Sequence, residues 1–310
     1  MTEPKQVNTI AILMPGDMGH GCALVFRQNG LRVVTCLAGR SQRTRHLAKK
    51  AGLEITPSLS VLVKTADLIL SILPPEHAVE QAFHVAEAMK AANTFPDYVD
   101  CNAISPATAK KVAAIFDGLA ANFVDGGIIG QNPIKEAGLT RLYVSGAETA
   151  LVRQLDGRGM VVRYLGSEIG RASAMKMVYA SSTKGAFSLF AAVAVMAELT
   201  GLRDELFQEL SESQPNTMAT IKRMVPRIPL DANRWIFEMA EIASTYESFG
   251  ITSNFHKGAG DIMHLANHTP LAARTRETIG DNLALSDVLQ QYIDAMGLIE
   301  RQNKKTTKTK

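Results

Sequence analysis

Residues 8–37 read as a strand, a glycine turn, a helix and a second strand, and a chain that starts this way has few folds open to it. Asn8-Thr-Ile-Ala-Ile-Leu is a short apolar run that stops at Met14-Pro-Gly-Asp-Met-Gly-His-Gly. Cys22-Ala-Leu-Val-Phe-Arg-Gln-Asn then has helical patterning with Gly30 as its stop, and Leu31-Arg-Val-Val-Thr-Cys-Leu follows as a strand. Such a turn lets backbone approach a pyrophosphate, while the helix N-terminus offers unpaired N–H groups and the positive end of its dipole. Gly16 and Gly19 have the spacing of the second and third glycines of G-x-G-x-x-G, with Met14 at the first position. Gly16, Asp17, Met18 and Gly19 are therefore candidate cofactor contacts. The turn alone also fits an ordinary strand–helix connection; the second strand, at the spacing of a βαβ unit, favours the dinucleotide.

The alternation continues. Ala66-Asp-Leu-Ile-Leu-Ser-Ile-Leu is a buried strand stopped by Pro74 and Pro75, a helix follows over about 76–91, and Tyr98-Val-Asp-Cys is the next strand. Repeated strand and helix predict a Rossmann-type, doubly wound parallel sheet of the α/β class. Strand ends in such sheets face the ligand crevice, which puts Leu73, Pro74, Asp100, Asn102 and Ser105 on the cofactor side. Ser105 also reads as a helix N-cap with Pro106 at the first position. Two further strands, 122–125 and 141–145, flank Gly126-Gly-Ile-Ile-Gly-Gln-Asn-Pro, read as a loop whose glycines let a ligand come against backbone.

After the second strand an NAD enzyme places a carboxylate on the adenosine ribose, and this chain has none between Asp17 and Glu54. Arg40, Ser41, Arg43 and Arg45 stand there instead. A guanidinium pairs with a 2′-phosphate, so NADP (NADPH) is favoured over NAD. A merely solvated basic helix start is the weaker reading, because cations oppose the dipole at that end.

Gly170–Leu202 reads as one long helix, apolar nearly all round over 186–197, and joins two halves of different character. A helix apolar on every side is buried, and this one exceeds what a small domain covers, so a homodimer built on it is expected. Its apolar half is shorter than the about 20 residues a bilayer requires, which argues against a membrane span. Lys176 and Lys184 occupy the polar end, where each ammonium needs a cleft, a ligand or a partner. Beyond the helix only helical patterns remain, over 203–213, 217–224, 233–249, 256–266 and 285–297. The division expected is a cofactor domain over 1–169 and an all-helical substrate and dimerisation domain over 170–310, with a disordered tail from about 302. His264 and His268, with His256 earlier, have metal-ligand spacing but no accompanying zinc-protease Glu, so no metal is expected.

A net charge of +3, partly in the Lys-rich tail, suggests no nucleic-acid partner. Cys22, Cys36 and Cys101 lack disulfide or metal spacing, and the N-terminus lacks a signal-peptide pattern; both suit a cytoplasmic protein.

The chain resembles the β-hydroxyacid dehydrogenase and 6-phosphogluconate dehydrogenase superfamily over nearly its whole length. The resemblance is carried by Pro15-Gly-Asp-Met-Gly, Asp100-Cys-Asn with Ser105-Pro106, Val124-Asp-Gly-Gly-Ile-Ile-Gly, and Gly170-Arg-Ala-Ser-Ala-Met-Lys. Ala174-Met-Lys-Met-Val-Tyr-Ala, Lys184-Gly185, Ser213-Gln-Pro, Arg234-Trp and Phe255-His256 look like a branch whose C-terminal domain is of unknown function. The resemblance implies that Lys176, six residues after Gly170, is the acid/base at the substrate hydroxyl or carbonyl. The chemistry agrees, since hydride arrival at a carbonyl carbon develops charge on oxygen that an ammonium stabilises and protonates.

Three departures stand out. The Asn usual four residues after the Lys is Ala180, leaving Tyr179 and Lys184 as alternative replacements; Asn102 stands where many members have a carboxylate-binding Ser; and a Ser-Gly-Gly loop has become Ile129-Gly-Gln, ending in Gln131. They imply a small-molecule substrate other than hydroxyisobutyrate or 6-phosphogluconate, and leave open whether Lys184 and His256 reach it. The reading is an NADP-dependent oxidoreductase acting on a small hydroxy or carbonyl compound that carries an acid group. Imine reduction is an alternative that Lys176 argues against. A non-catalytic NADPH-binding sensor or scaffold is the other, motivated by Met14 and the missing Asn.

Overall fold

β1 (Thr9–Leu13) is buried at every residue, and the sheet is wound outward from it in both directions. The computed structural model describes residues 5–135, 139–279 and 283–308. From β1 the chain passes through α1 (Asp17–Gln28) to β2 (Arg32–Cys36) and through α2 (Gln42–Lys50) to β3 (Glu54–Thr56). α3 (Leu59–Thr65) then carries it back across to β4 (Leu68–Ser71), on the opposite side of β1. α4 (Ala78–Ala92), β5 (Asp97–Asp100), α5 (Pro106–Ala114) and β6 (Phe123–Ile129) extend that side. β7 (Arg141–Ser145) returns antiparallel to β6, and α6 (Ala150–Arg153) leads to β8 (Val161–Tyr164), parallel to β7.

The strand order is β3-β2-β1-β4-β5-β6-β7-β8. Its first six strands are parallel and form a doubly wound sheet whose direction of winding reverses between β1 and β4. Both faces are covered. Ile10 and Ile12 of β1 pack with Cys22 and Phe26 of α1, whereas Ala11 and Leu13 join Leu62, Val85, Met89 and Val112 on the other face. Burial on both faces is why β1 and β4 are largely apolar runs in the sequence.

The structure departs from the sequence reading in specific places. β3 and β8 were not expected, because both are short edge strands with mostly exposed or half-exposed residues and no apolar run. Gly126 to Ile129 form no loop but complete β6, with Gly127 opposite Tyr143. A Cβ on Gly126 would stand 2.8 Å from the Asp100 carbonyl oxygen, and one on Gly127 would stand 2.9 Å from that of Ala172. These glycines make room for a strand and a helix, not for a ligand.

The chain divides into two compact units, Met1–Tyr179 and Ala180–Lys310. The first turns of the long helix, α7 (Arg171–Ala180), thus belong largely with the sheet. The helical run continues through a π-helical turn, Ser181–Gly185, into α8 (Ala186–Leu199). The second unit then consists of α9 (Arg203–Ser213), α10 (Pro215–Met224), α11 (Ile228–Ser248), α12 (Asn254–Asn267) and α13 (Leu285–Lys308).

On α8, Ala191, Ala194, Val195 and Ala197 are buried, while Leu189, Val193, Met196 and Leu199 present an apolar face to solvent. Within the single chain the helix is buried on one side, and the exposed side is the surface expected to pack on a second subunit. The argument from length against a membrane span fails for the helix as folded. Arg171–Leu199 is 29 residues with a mean hydropathy of 1.3 over its most apolar window, enough to cross a bilayer by length and composition, and 33% of that window is buried in the fold. Few charges lie between the two halves, so the polar half extends the apolar one. The tail expected to be disordered has helical backbone through Lys308, and residues 309–310 lie outside the described ones. Buried Val288, Leu289, Tyr292 and Ala295 establish α13, after which each added residue gains a hydrogen bond without a new nucleation cost.

Candidate functional site

The turn after β1 has the geometry of a phosphate-binding turn in spite of Met14. Met14 takes φ +56°, a conformation that glycine adopts readily and side chains resist, and its carbonyl accepts from Gly16 N at 2.7 Å. A Cβ on Gly19 would lie 3.0 Å from that same carbonyl oxygen, so Gly19 lets α1 pack against the end of β1. A Cβ on Gly16 would meet nothing within 4 Å, so the fold's own packing does not demand this glycine, and it leaves backbone open to approach. Gly16 caps α1 with no side-chain hydrogen bond, as suits a helix start that receives an anion. Asp17 pairs with Arg43 at 2.6 Å, Asn132 Nδ2 donates to the Asp17 carbonyl, and Met18 packs on the core beneath.

Past β2, Arg40 is half-buried, with Nη2 donating to Gln81 Oε1 at 2.7 Å and Nη1 lying 3.8 Å from Met14 Sδ. Its Nε is buried without a partner among the described residues, and burial lowers the guanidinium pKa from its ordinary value. Ser41 N-caps α2, accepting from Thr44 N at 3.2 Å.

At the ends of β4 and β5, Asn102 is 1% exposed and its amide is engaged within the fold. Oδ1 accepts from Leu73 N at 2.5 Å, and Nδ2 donates to Ser71 Oγ at 3.1 Å and Asp100 Oδ2 at 2.9 Å. This ties Leu73, and Pro74 after it, to the neighbouring strand. Ser105 caps α5, accepting from Thr108 N at 3.2 Å. Burial raises the Asp100 carboxyl to about 7, with Asp125 adding repulsion and bonds from Asn102 opposing.

Asp125, on β6 and fully buried, holds the start of the long helix. Its Oδ2 accepts from Gly170 N, Ala172 N and Ser173 N at 2.9–3.0 Å and from Ser145 Oγ at 2.9 Å, while Oδ1 accepts from Ser173 Oγ at 2.5 Å. A carboxylate at a helix N-terminus is stabilised by both the free N–H groups and the dipole. Lys176 follows one turn later, half-buried, with Nζ donating to the Ile128 carbonyl on β6. A Cβ on Gly127 would lie 3.2 Å from Lys176 Cβ, so Gly127 and Asp125 together set where the lysine stands. The sequence reading missed the role of Asp125. The Val124-Asp-Gly-Gly string was visible, but its partners lie 45–48 residues away. Tyr179 is 42% exposed, and Gln131 is exposed with its carbonyl accepting from Thr140 Oγ1.

In the second unit Lys184 pairs with Glu238, whose side chain is 1% exposed and is shared with Arg234. Asp231 pairs with Arg234 at 3.2 Å and with Arg276 at 2.5 Å. The Lys184 ammonium also stands 5.5 Å from the Trp235 ring centre. Glu238 is the partner the sequence reading lacked, although Arg234 and Glu238 already have i,i+4 spacing. Ser181 Oγ lies 2.8 Å from His256 Nε2 and accepts from the Tyr246 hydroxyl at 2.9 Å. Burial lowers the His256 pKa from 6.5. Ser181 and Lys184 both sit on the π-helical turn, a feature concentrated at functional sites. His264 and His268 are exposed, and the His268 ring bonds the His264 carbonyl at 2.8 Å.

Residues 9–156 match the NAD binding domain of 6-phosphogluconate dehydrogenase, and residues 197–265 match a domain of unknown function. A protein of Methanothermus fervidus, described as an uncharacterized 28.5 kDa protein, is 32% identical over 189 residues, which are 61% of this chain and 71% of that one. In fold, the chain is similar to the 3-hydroxyisobutyrate dehydrogenase of Mycobacterium tuberculosis solved with L-serine, with 18% identity, 92% and 99% of the two chains covered and a TM-score of 0.64. It is also similar to the reductive aminase of Aspergillus terreus solved with NADPH and ethyl levulinate, with 15% identity, 93% and 100% covered and a TM-score of 0.55. The chain belongs to one family with the Methanothermus fervidus protein, and it joins an NAD-binding domain of the 6-phosphogluconate dehydrogenase kind to a C-terminal domain of unknown function.

Proposed function

We propose that the protein is an NADP-dependent oxidoreductase that moves a hydride between the nicotinamide and a small hydroxy or carbonyl compound carrying an acid group, with Lys176 as general acid/base. The observation that carries this reading is the placement of Lys176. Its ammonium is held by a backbone carbonyl at the end of β6, on a helix whose start Asp125 anchors. The open backbone at Gly16 and the start of α1 would hold the pyrophosphate, and Arg40, with Ser41 and Arg43, the 2′-phosphate. A bound NADPH supplies a hydride to an electron-poor carbon. As charge grows on the substrate oxygen, Lys176 Nζ stabilises it and donates a proton; in the oxidative direction the neutral amine removes the hydroxyl proton.

Of the two replacements for the missing Asn, Tyr179 is favoured, because the Lys184 ammonium is already matched by Glu238. Asn102 acts through Leu73 as a brace for the cofactor crevice. The exposed apolar face of α8 supports a homodimer, and three buried free thiols support a reducing, cytoplasmic setting.

The test is NADPH consumption by the purified protein across a panel of semialdehydes, keto acids and cyclic imines, with NADH alongside. Reduction of an acid-bearing carbonyl with NADPH preferred supports the proposal. Turnover of imines alone would overturn it in favour of imine reduction, and NADPH binding without any turnover would favour a sensor. A monomeric mass by light scattering at micromolar concentration would overturn the homodimer.

A further inference from the structure

Met14 occupies the position where the dinucleotide fingerprint has its first glycine, and it does so at φ +56°, which disfavours any side chain. Its side chain lies against Arg40. The thioether sulfur is 3.8 Å from Nη1, a soft, weakly accepting contact that leaves the guanidinium charge whole. From the other side Gln81 Oε1, buried on α4, accepts from Nη2 at 2.7 Å. The three residues come from the ends of different elements: Met14 follows β1, Arg40 follows β2, and Gln81 lies in the helix after β4. They bracket the point where the winding of the sheet reverses. The guanidinium is thus gripped at both terminal nitrogens, while Nε is buried and unmatched.

Resting on the NADP reading above, we propose that Met14 and Gln81 are positioning residues that hold the Arg40 guanidinium for the 2′-phosphate and so set the preference for NADP over NAD. A guanidinium fork recognises phosphate through paired N–H groups, so its orientation matters as much as its charge. A neutral amide and a thioether orient it without cancelling that charge. A carboxylate at position 81 would grip it harder and neutralise it. Burial already disfavours the charged guanidinium, a cost that a phosphate beside it offsets.

Binding of NADPH and NADH, followed by cofactor fluorescence on the full chain, tests the assignment, with 2′,5′-ADP and 5′-AMP as competing probes. The wild-type chain is expected to prefer NADPH and 2′,5′-ADP, and Arg40→Ala to lose that preference. Gln81→Leu and Met14→Gly should each reduce it roughly threefold to tenfold, the loss falling on the 2′-phosphorylated ligands. A packing defect would instead weaken NADH and 5′-AMP to the same extent, and that result would overturn the assignment. Gln81→Glu keeps an acceptor in place, and its preference should fall at least as far as that of Gln81→Leu. A wild-type chain without preference for NADPH would remove the NADP reading itself. Preference lost in Arg40→Ala but retained in the Gln81 and Met14 variants would overturn the positioning roles alone.

Discussion

Lys176 and Lys184 lie on one helical run, yet their surroundings differ in kind. The Lys176 ammonium donates to the backbone carbonyl of Ile128 on β6. Lys184 meets a carboxylate that is 1% exposed and also pairs with Arg234. A buried carboxylate must be matched, so Lys184 is bound into the architecture of its unit. In the proposed reaction the first lysine would meet the anion that develops on the substrate oxygen.

The sharpest way to break this comparison is Lys176→Met, which is expected to lower turnover about 10²- to 10⁴-fold with NADPH binding intact. Steady-state rates with a substrate found in the panel measure it, and retained turnover would remove Lys176 from the chemistry. Glu238→Gln should instead act on stability, costing about 3–5 kcal/mol in urea unfolding, because Lys184 and Arg234 lose their shared counter-charge. An effect below 1 kcal/mol would make the pair incidental. Asp125→Asn should combine both signatures, since an amide cannot accept all the hydrogen bonds of the carboxylate. A loss of about 2–3 kcal/mol is expected, together with slower turnover as Lys176 shifts.

The two units should also respond to pH with opposite sign. Burial raises Asp100 from 3.8 to about 7, so the folded chain binds a proton there that the unfolded chain has released. Its contribution to stability is full below about 4 and declines as pH rises toward about 7. His256 is lowered from 6.5 by burial, so its contribution is present above that value and declines as pH falls below it. Unfolding midpoints between pH 4 and 8 should lose their alkaline-going decline in Asp100→Asn and their acid-going decline in His256→Gln. Unchanged profiles in both variants would contradict the assignment of these slopes.

Legibility in the sequence followed burial and distance along the chain. β1 and β4 could be read directly, because strands covered on both faces are largely apolar runs, and β2 and β5 could be read from their place in the strand–helix alternation. The edge strands β3 and β8, short and half-exposed, could not. The second half of β6 was mistaken for a loop because glycine in a sequence signals both a turn and a close packing contact, and Gly126 and Gly127 serve the second purpose. Arg40 was visible as a charge where an acid was missing. Gln81, 41 residues further on, was not, since a polar residue on an amphipathic helix carries no mark of what it touches.

By itself, then, the sequence determined the α/β class, the turn after β1, the acid-free end of β2 and the lysine of the long helix, all written in local periodicity, glycine spacing and charge. Only the tertiary structure decided that Met14 adopts the glycine conformation, that Asn102 braces Leu73, that Asp125 anchors the long helix and that Glu238 neutralises Lys184. The reason is physical. A hydrogen bond or ion pair between residues tens of positions apart depends on where packing brings two backbones together, and periodicity along one segment does not specify that place.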